Sequence, residues 1–163
     1  MKSKELPRYS RCFVCGKANP AGLDLRFHAT AEGVHTEVEI PESYIGFPDR
    51  IHGGVLAAII DEVMGWSCTV RTGKMYYTTR LNIRFRRPVS PCGRVRVEGT
   101  CKEIKRWIAR AEGRALDPDG EVCVEAEGTF CALRDIGMDE ILSHLEVETA
   151  SGVRPATAED LVL

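Results

Sequence analysis

Hydrophobic positions between Ile51 and Val70 cover nearly the whole circumference of a predicted helix. Within this stretch the only charged residues are Asp61 and Glu62. A helix that is apolar on all sides is normally buried by the rest of its domain. Carboxylates on such a helix lose hydration, so they need a partner or a chemical task, unless both lie on one narrow exposed strip.

A period of two predicts strands on both sides of this helix. The runs 23–27 and 34–40 indicate a hairpin, and four more strands are predicted over 76–87, 94–103, 107–117 and 121–133. Glycine and proline turns separate them. A helix of about 18 residues is ~27 Å long, which matches five or six strands at ~4.8 Å spacing. The pattern predicts an α+β domain with one helix across an antiparallel sheet.

The length of 163 residues favours one domain, divided here into three segments. Residues 1–21 form an N-terminal segment with a C-x-x-C turn, and residues 22–133 form the domain. Residues 134–163 form a tail with one short helix expected over 138–147. We expect residues 1–10 to be loosely held and the tail to be poorly ordered.

Composition excludes several classes of function. The net charge is −2 with 28% charged residues, which argues against a nucleic-acid or membrane-surface partner. The two acids interrupt the longest apolar run, so no membrane span is expected, and the first residues contain no secretory signal. Seven cysteines, an odd number, indicate reduced thiols in the cytoplasm. Cys12 and Cys15 have no second Cys/His pair, so we expect free cysteines, no metal and no cofactor.

Three motifs give the sequence a resemblance to a known family. They are Cys12-Phe13-Val14-Cys15-Gly16, then His52-Gly53-Gly54 with Asp61 nine residues after the histidine, and Thr78-Thr79-Arg80-Leu81-Asn82-Ile83 leading into Arg86-Arg87-Pro88-Val89. Over residues 10 to 133 the chain resembles hotdog-fold acyl-CoA thioesterases of the phenylacetate-degradation type. The resemblance implies one long central helix wrapped by a curled antiparallel sheet of five to six strands. It also implies hydrolysis of an acyl-CoA substrate to a free acid and coenzyme A.

The helix start and its carboxylate supply the chemistry that thioester hydrolysis needs. Asp61 can act as a general base or as a nucleophile. The Gly54 N–H, in the first helical turn, can stabilise the oxyanion. A side chain at Gly53 or Gly54 would restrict the backbone angle and the approach of substrate. His52 orients the substrate or the glycine loop, or is only a helix cap.

Two neighbouring pairs of residues each leave a choice. Glu62 is the rival carboxylate, about 100° around the helix, and the resemblance selects Asp61. It also implies that Thr78 hydrogen-bonds the water or the carboxylate. Thr79 points to the opposite face of a strand, so only one threonine can serve.

A basic run beside Pro88 is the candidate site for coenzyme A. Arg86 and Arg87 close this run, which also contains Arg80 and Arg84. Arginine side chains suit the phosphates of coenzyme A. The alternative is a solvated strand face.

Gly54 and Asp61 are seven residues apart, hence ~10.5 Å along the helix. That separation is long for two groups that act on one carbonyl, so we expect one chain to provide Gly54 and the other Asp61. The resemblance agrees, since it places active sites at the interface of a homodimer, and a homotetramer of paired dimers is the alternative. The other functions are a non-catalytic hotdog protein that binds acyl-CoA or another small ligand, and a dehydratase. The dehydratase is disfavoured because no Asp-x-Asn-Pro-x-His run is present.

Overall fold

The long apolar helix is the centre of the structure. A computed structural model describes residues 3–163, in which helix α1 runs over Gly53–Thr72 and buries eleven of its twenty residues. The helix ends at Gly73, whose φ of 69° is left-handed and whose N–H donates to the Thr69 carbonyl at 2.7 Å. The predicted helix is confirmed, with two additional residues at its end.

Besides α1, residues 3–163 contain twelve strands, a second α-helix and two short 3-10 helices, joined by turns and loops. In chain order the strands and the second α-helix are β1 (Lys4–Glu5), β2 (Arg8–Tyr9), β3 (His28–Thr30), β4 (Gly33–Glu39), β5 (Ile45–Phe47), β6 (Arg50–Ile51), β7 (Tyr76–Phe85), β8 (Arg94–Lys105), β9 (Ile108–Leu116), β10 (Val122–Ala132), helix α2 (Met138–His144), β11 (Leu145–Thr149) and β12 (Gly152–Pro155). Seven strands pair antiparallel in the order β1-β3-β4-β8-β9-β10-β7, and α1 packs across one face of this sheet. The predicted α+β class is confirmed.

Glycines inside the strands let α1 approach the sheet closely. Gly99 on β8 pairs with Gly113 on β9. A Cβ atom at Gly99 would lie 2.8 Å from the backbone of Val63, and one at Gly113 would lie 2.8 Å from the Ile60 side chain. The helix therefore rests on backbone at its crossing point, and the larger side chains pack around that contact.

The main sheet differs from the prediction at its edges. It has seven strands instead of five or six, because β1 pairs with β3 at one end. The predicted strand over 23–27 is irregular chain, since the Leu25 N–H donates to the Val14 carbonyl and regular pairing begins at His28. At the other end β7 stops at Phe85, two residues before the predicted limit.

Residues 3–10 and the C-terminal tail are folded together, contrary to the expectation of loose ends, while residues 1 and 2 of that expectation lie outside the described residues. Strands β2, β11 and β12 form a second sheet of three strands. Arg8 is buried and donates hydrogen bonds to Asp24 and to Glu148. The bond to Glu148 joins the N-terminal part of the chain to the C-terminal part. Leu161 is fully buried. Strand β2 is too short to be predicted from its own sequence, and its partner β11 lies more than a hundred residues further along the chain.

The apolar character of α1 has its origin in packing. By length and composition alone this helix could cross a membrane, contrary to the sequence expectation that no run qualifies. Its buried residues contact the sheet of its own domain, and the core helix of a folded domain satisfies the same criteria.

Candidate functional site

The N-terminus of α1 is capped by the histidine that precedes it. His52 is the N-cap residue, and its Nδ1 accepts a hydrogen bond of 2.9 Å from the Gly54 N–H. This is the cap alternative considered for His52. In this state the Gly54 N–H is occupied, so it can reach an oxyanion only if the imidazole gives way or shares the donor.

The two glycines of this turn fit a tightly packed space, which differs from the conformational reason expected from the sequence. Neither Gly53 nor Gly54 has a positive φ. A Cβ atom at Gly54 would lie 3.0 Å from Nδ1 of His52, and one at Gly53 would lie 3.2 Å from the ring of Phe85. A side chain at either glycine would therefore require His52 or Phe85 to shift by a few tenths of an ångström.

Asp61 and Thr78 form a hydrogen-bonded pair between α1 and β7. The Thr78 hydroxyl donates to Oδ1 of Asp61 at 2.8 Å. Asp61 is half-buried, and this burial raises the pKa of its carboxyl above the usual aspartate value, while the Thr78 hydrogen bond lowers it in part. The pair holds a carboxylate that is more basic than an exposed aspartate, with Oδ2 left for another partner.

A bulge in β7 separates the roles of the two adjacent threonines. Thr129 on β10 is opposite Arg80, and the next residue, Phe130, is opposite Thr78, so Thr79 is the extra residue. The bulge turns Thr78 toward the helix. Thr79 instead donates to the Thr129 carbonyl at 2.9 Å. Thr79, a candidate substrate contact in the sequence, is therefore engaged in the sheet.

A cavity of about 220 Å³ lies beside the Asp61–Thr78 pair. Its apolar wall includes Trp66, Met75 and Phe130. Tyr76 also lines it, and the buried hydroxyl oxygen of this residue has no hydrogen-bond partner within the described residues 3–163. An apolar cavity with a few polar groups is typical of a small-molecule site.

Glu62 lies in the same cavity as Asp61, although the sequence placed the two carboxylates in different surroundings. Cys12 donates its thiol hydrogen to Oε1 of Glu62, with the sulfur 3.6 Å away. Burial raises the pKa of Glu62 to about 8, further than that of Asp61. Glu62 is thus neither a solvated residue nor a member of a surface ion pair.

The arginines proposed for coenzyme A are already paired or lie outside the strand. Arg86 forms an ion pair with Glu125, and Arg87 pairs with Glu121 at 3.0 Å. Both follow the end of β7, and both backbone N–H groups donate to the Cys123 carbonyl. A phosphate at either arginine would compete with a carboxylate.

A wider depression of about 590 Å³ lies on the face of the sheet away from α1. Its lining includes Glu98, which accepts hydrogen bonds from Arg96 and Arg114. Because most of its charged residues form ion pairs and no apolar wall encloses it, this surface is a solvated sheet face. The smaller cavity at Asp61 is the candidate site.

Sequence reasoning identified the Asp61–Thr78 pair but missed most of the cavity wall. The sequence pattern gives Tyr76 only as the start of the strand predicted over 76–87, and it gives Trp66 and Phe130 only as apolar positions of a predicted helix and strand. Cys12 and Cys15 were assigned to a turn against the sheet, whereas they line this cavity beside α1. Periodicity cannot separate a cavity wall from a filled core, because both are apolar.

Comparison with known proteins agrees with this geometry. A model of the thioesterase superfamily matches residues 49–124, which contain α1, β7, β8 and β9. Acyl-coenzyme A thioesterase THEM4 of Bos taurus is 33% identical over 90 residues, covering 54% of this chain and 36% of that protein. The 3-hydroxyacyl-(acyl-carrier-protein) dehydratase FabZ of Bordetella pertussis is 33% identical over 81 residues, covering 50% of this chain and 52% of that protein. The chain thus spans about a third of one of these curated relatives and about half of the other.

Among solved structures, a crystal structure of a thioesterase superfamily protein is 27% identical, with a TM-score of 0.69. The similarity covers 75% of this chain and 60% of that one. It extends the match well beyond the helix and the strands that follow it. Residues 49–124 therefore match the thioesterase superfamily, and the chain has the hotdog fold, a long helix packed across a large antiparallel sheet.

Proposed function

We propose that the protein is an acyl-CoA thioesterase that hydrolyses a thioester to a free acid and coenzyme A. The observation that carries this proposal is the hydrogen bond between Thr78 and Asp61 at the edge of an apolar cavity. The carboxylate is oriented by the hydroxyl and made more basic by burial. An acyl chain suits the apolar wall, and the name of the THEM4 relative supports an acyl-coenzyme A substrate.

Asp61 acts on the thioester carbonyl either through water or directly. As a general base it takes a proton from water, which then attacks the carbonyl carbon and expels the coenzyme A thiolate. As a nucleophile it forms a mixed anhydride that water later hydrolyses. Thr78 has the same role in both routes, because its hydrogen bond fixes one carboxylate oxygen and aims the other at the substrate.

The first turn of α1 supplies the oxyanion site in this proposal. Its N–H groups lack intrahelical partners, and the helix dipole favours a negative oxygen there. The Gly54 N–H donates a hydrogen bond of 2.9 Å to Nδ1 of His52. Binding of the substrate oxygen at this N–H therefore requires the imidazole to move or to share the donor. His52 then also serves to keep the amide satisfied while the site is empty.

A homodimer completes the site, because Asp61 and Gly54 are about two helical turns apart. Strand β7 is at the edge of the sheet, where a second copy can pair with it. Tyr77 and Phe85 on this strand are large, hydrophobic and half exposed. Phe47, a few residues before α1, is 69% exposed. In the dimer Asp61 of one chain faces the Gly54 turn of its partner.

Mixing two inactive variants tests the shared site. Asp61→Asn removes the carboxylate, and Gly54→Val places a side chain against His52. If the sites are shared, half of the mixed population is hybrid dimers with one unaltered site each, and about a quarter of the activity returns. A monomer in sedimentation that retains activity, or no recovery on mixing, would contradict the shared site.

The function itself is tested by a hydrolysis screen over short, long and aromatic acyl-CoAs. The best substrate is then used with Asp61→Asn, which should lower kcat by about 10²–10⁴-fold, the usual effect of losing a general base. Asp139→Asn, on the exposed face of α2, is the matched control. Tight binding of acyl-CoA without turnover by the unaltered protein would favour the non-catalytic alternative.

A dehydratase is the second candidate, and the similarity to FabZ is the observation that favours it. Dehydration of a 3-hydroxyacyl group leaves the thioester intact, so release of free thiol distinguishes the two reactions. The Asp-x-Asn-Pro-x-His run is absent from the sequence. Formation of an enoyl thioester without thiol release would replace the proposed hydrolysis.

A further inference from the structure

Three potential metal ligands from distant parts of the chain meet beside the cavity. The sulfur atoms of Cys12 and Cys15 and a carboxylate oxygen of Glu62 all lie within 4.8 Å of one another. Cys15 is buried, and Cys12 and Glu62 are half-buried. The sequence predicts metal-free cysteines, because no second Cys/His pair accompanies Cys12 and Cys15. The fold provides a carboxylate from α1 instead.

The C-x-x-C turn has a backbone shape that suits a bound thiolate. The N–H groups of Val14 and Cys15 both point at the sulfur of Cys12, at 3.2 Å and 3.5 Å. The Gly16 N–H donates to the Cys12 carbonyl at 3.0 Å and closes the turn. A Cβ atom at Gly16 would lie 2.6 Å from the Ser10 carbonyl oxygen, so the turn requires glycine there. Amide donors to a sulfur stabilise negative charge on it.

Glu62 has no cationic partner in the described part of the chain. No lysine, arginine or histidine of residues 3–163 lies within 4.0 Å of its carboxylate, and its side-chain hydrogen bond is to Cys12. In the metal-free protein the thiol proton of Cys12 lies between the sulfur and the Glu62 carboxylate. A divalent cation would replace that proton and bind both groups, because it supplies the positive charge that two ionised acids need when they are withdrawn from water.

We propose that Cys12, Cys15 and Glu62 bind one Zn²⁺ ion whose fourth coordination position opens toward the cavity. Zinc accepts thiolate and carboxylate ligands in tetrahedral geometry, with Zn–S near 2.3 Å and Zn–O near 2.0–2.2 Å. Two such sulfurs are about 3.8 Å apart, so the observed cluster needs only a small contraction. Soft thiolates select zinc over magnesium or calcium.

This ion would fasten the N-terminal turn to α1 one residue away from Asp61. Cys12 and Cys15 belong to a segment that precedes the sheet, whereas Glu62 and Asp61 are adjacent on the helix. The metal therefore fixes one wall of the cavity. None of its three ligands is a catalytic residue in the proposed hydrolysis, so the metal site and the thioesterase proposal can fail independently.

Metal analysis of the unaltered protein is the direct test. Protein purified with a reductant and without chelator should contain about one zinc per chain, consistent with one three-ligand site. A mercurial that modifies the thiols should release that zinc to a colorimetric chelator. Replacement of zinc by Co²⁺ should produce thiolate-to-cobalt charge-transfer absorption and the d–d bands of tetrahedral coordination. These readouts need no variant and no substrate.

Variants then assign the ligands. Cys15→Ser and Glu62→Gln should each weaken zinc binding by at least about tenfold, because each removes one of three protein ligands. Cys123→Ser is the matched control, since Cys123 is an equally buried cysteine on β10 that is not part of the cluster. Zinc and cobalt binding should be unchanged in that variant.

Three results would overturn the proposal. The first is that neither zinc nor cobalt binds after the protein is loaded with one equivalent. The second is stoichiometric metal binding by the unaltered protein that persists after the thiols of Cys12 and Cys15 are blocked. The third is a Cys12–Cys15 disulfide as the stable state. The disulfide is detected as a loss of two hydrogens by mass spectrometry, and it would identify a redox dithiol in place of a metal site.

Discussion

The Thr78 hydroxyl donates a hydrogen bond of 2.8 Å to Oδ1 of Asp61, and so joins the edge strand β7 to the central helix α1. The contact depends on the bulge at Thr79, without which the strand would present its next residue to the helix. It fixes the rotamer of a carboxylate that burial has made more basic. Orientation and basicity of Asp61 are therefore set by different parts of the fold.

Removing the Thr78 hydroxyl should slow turnover without unfolding the protein. Thr78→Val keeps the shape of the side chain and loses the hydrogen bond, so we expect kcat to fall by about tenfold, less than for loss of the base itself. Thr79→Val is the matched control, because its hydroxyl bonds to the Thr129 carbonyl and not to Asp61. Steady-state kinetics on the best acyl-CoA measure both. A larger loss of kcat in the Thr79 variant than in the Thr78 variant would show that Thr79, and not Thr78, orients Asp61.

The elements around α1 could be predicted because their signals are local. The helix is apolar on all sides and ends at Gly73, and strands β8, β9 and β10 alternate with a period of two between clear turns. Their observed limits lie within about two residues of the predicted ones, the usual uncertainty of element ends. The pair Asp61 and Thr78 was found through the family resemblance, since spacing alone does not favour Asp61 over Glu62.

The remaining features depend on contacts between distant residues, and no local pattern reports them. Cys12 meets Glu62 fifty positions away, and Arg8 meets Glu148 at the far end of the chain. The cap at the start of α1 is a local feature, yet the motif His52-Gly53-Gly54 allowed two roles for the histidine. Only the folded structure shows that Nδ1 of His52 accepts a hydrogen bond from the Gly54 N–H.

Gly99 should tolerate no side chain, because α1 rests on it. A Cβ atom there would lie 2.8 Å from the Val63 carbonyl carbon and oxygen, and helix backbone cannot rotate away as a side chain can. Gly99→Ala should lower the free energy of unfolding by about 1–3 kcal/mol, the cost of overpacking a core. Urea denaturation measures the change.

The control for this substitution is Gly137→Ala, at the start of α2. A Cβ atom at Gly137 would meet no atom within 4 Å. We expect a change of stability within about 0.5 kcal/mol, as for ordinary surface positions. Equal effects at the two glycines would show that loss of glycine flexibility, and not the contact with Val63, determines the result.

Arg8 should be important for holding the two ends of the chain together. Its buried guanidinium donates to Asp24 at 2.6 Å and also to Glu148. Arg8→Met retains much of the side-chain volume but leaves both carboxylates without this partner. The free energy of unfolding should fall by about 1–3 kcal/mol, the range for removing one member of a buried hydrogen-bonded group. Arg26→Met is the matched control, because exposed Arg26 binds the same Glu148 at 2.6 Å, and surface pairs contribute about 0–1 kcal/mol.

The pH dependence of catalysis should report the surroundings of Asp61. Hydrolysis needs the ionised carboxylate, so kcat/KM should fall as the pH drops through the pKa of Asp61. Burial raises that pKa above 3.8, the ordinary aspartate value, and the Thr78 hydrogen bond opposes the shift. Thr78→Val should therefore move the acid limb of the profile to higher pH. An unmoved limb in that variant would assign the titration to another group.

The same shift predicts the direction of a stability change. A carboxyl whose pKa is higher in the folded than in the unfolded state binds more protons when folded, so stability falls as the pH rises from 3.8 through the raised value. The Asp61→Asn variant has no carboxyl at this position to titrate, so this pH-dependent change in stability is absent from it. Relative to the unaltered protein it should therefore gain thermal stability at neutral pH, where it is inactive, and show less gain near pH 3.8. Thermal melts across this range measure the difference. A variant that is inactive and equally destabilised at every pH would indicate that Asp61 has a structural role, and the loss of activity would then no longer support its place in the reaction.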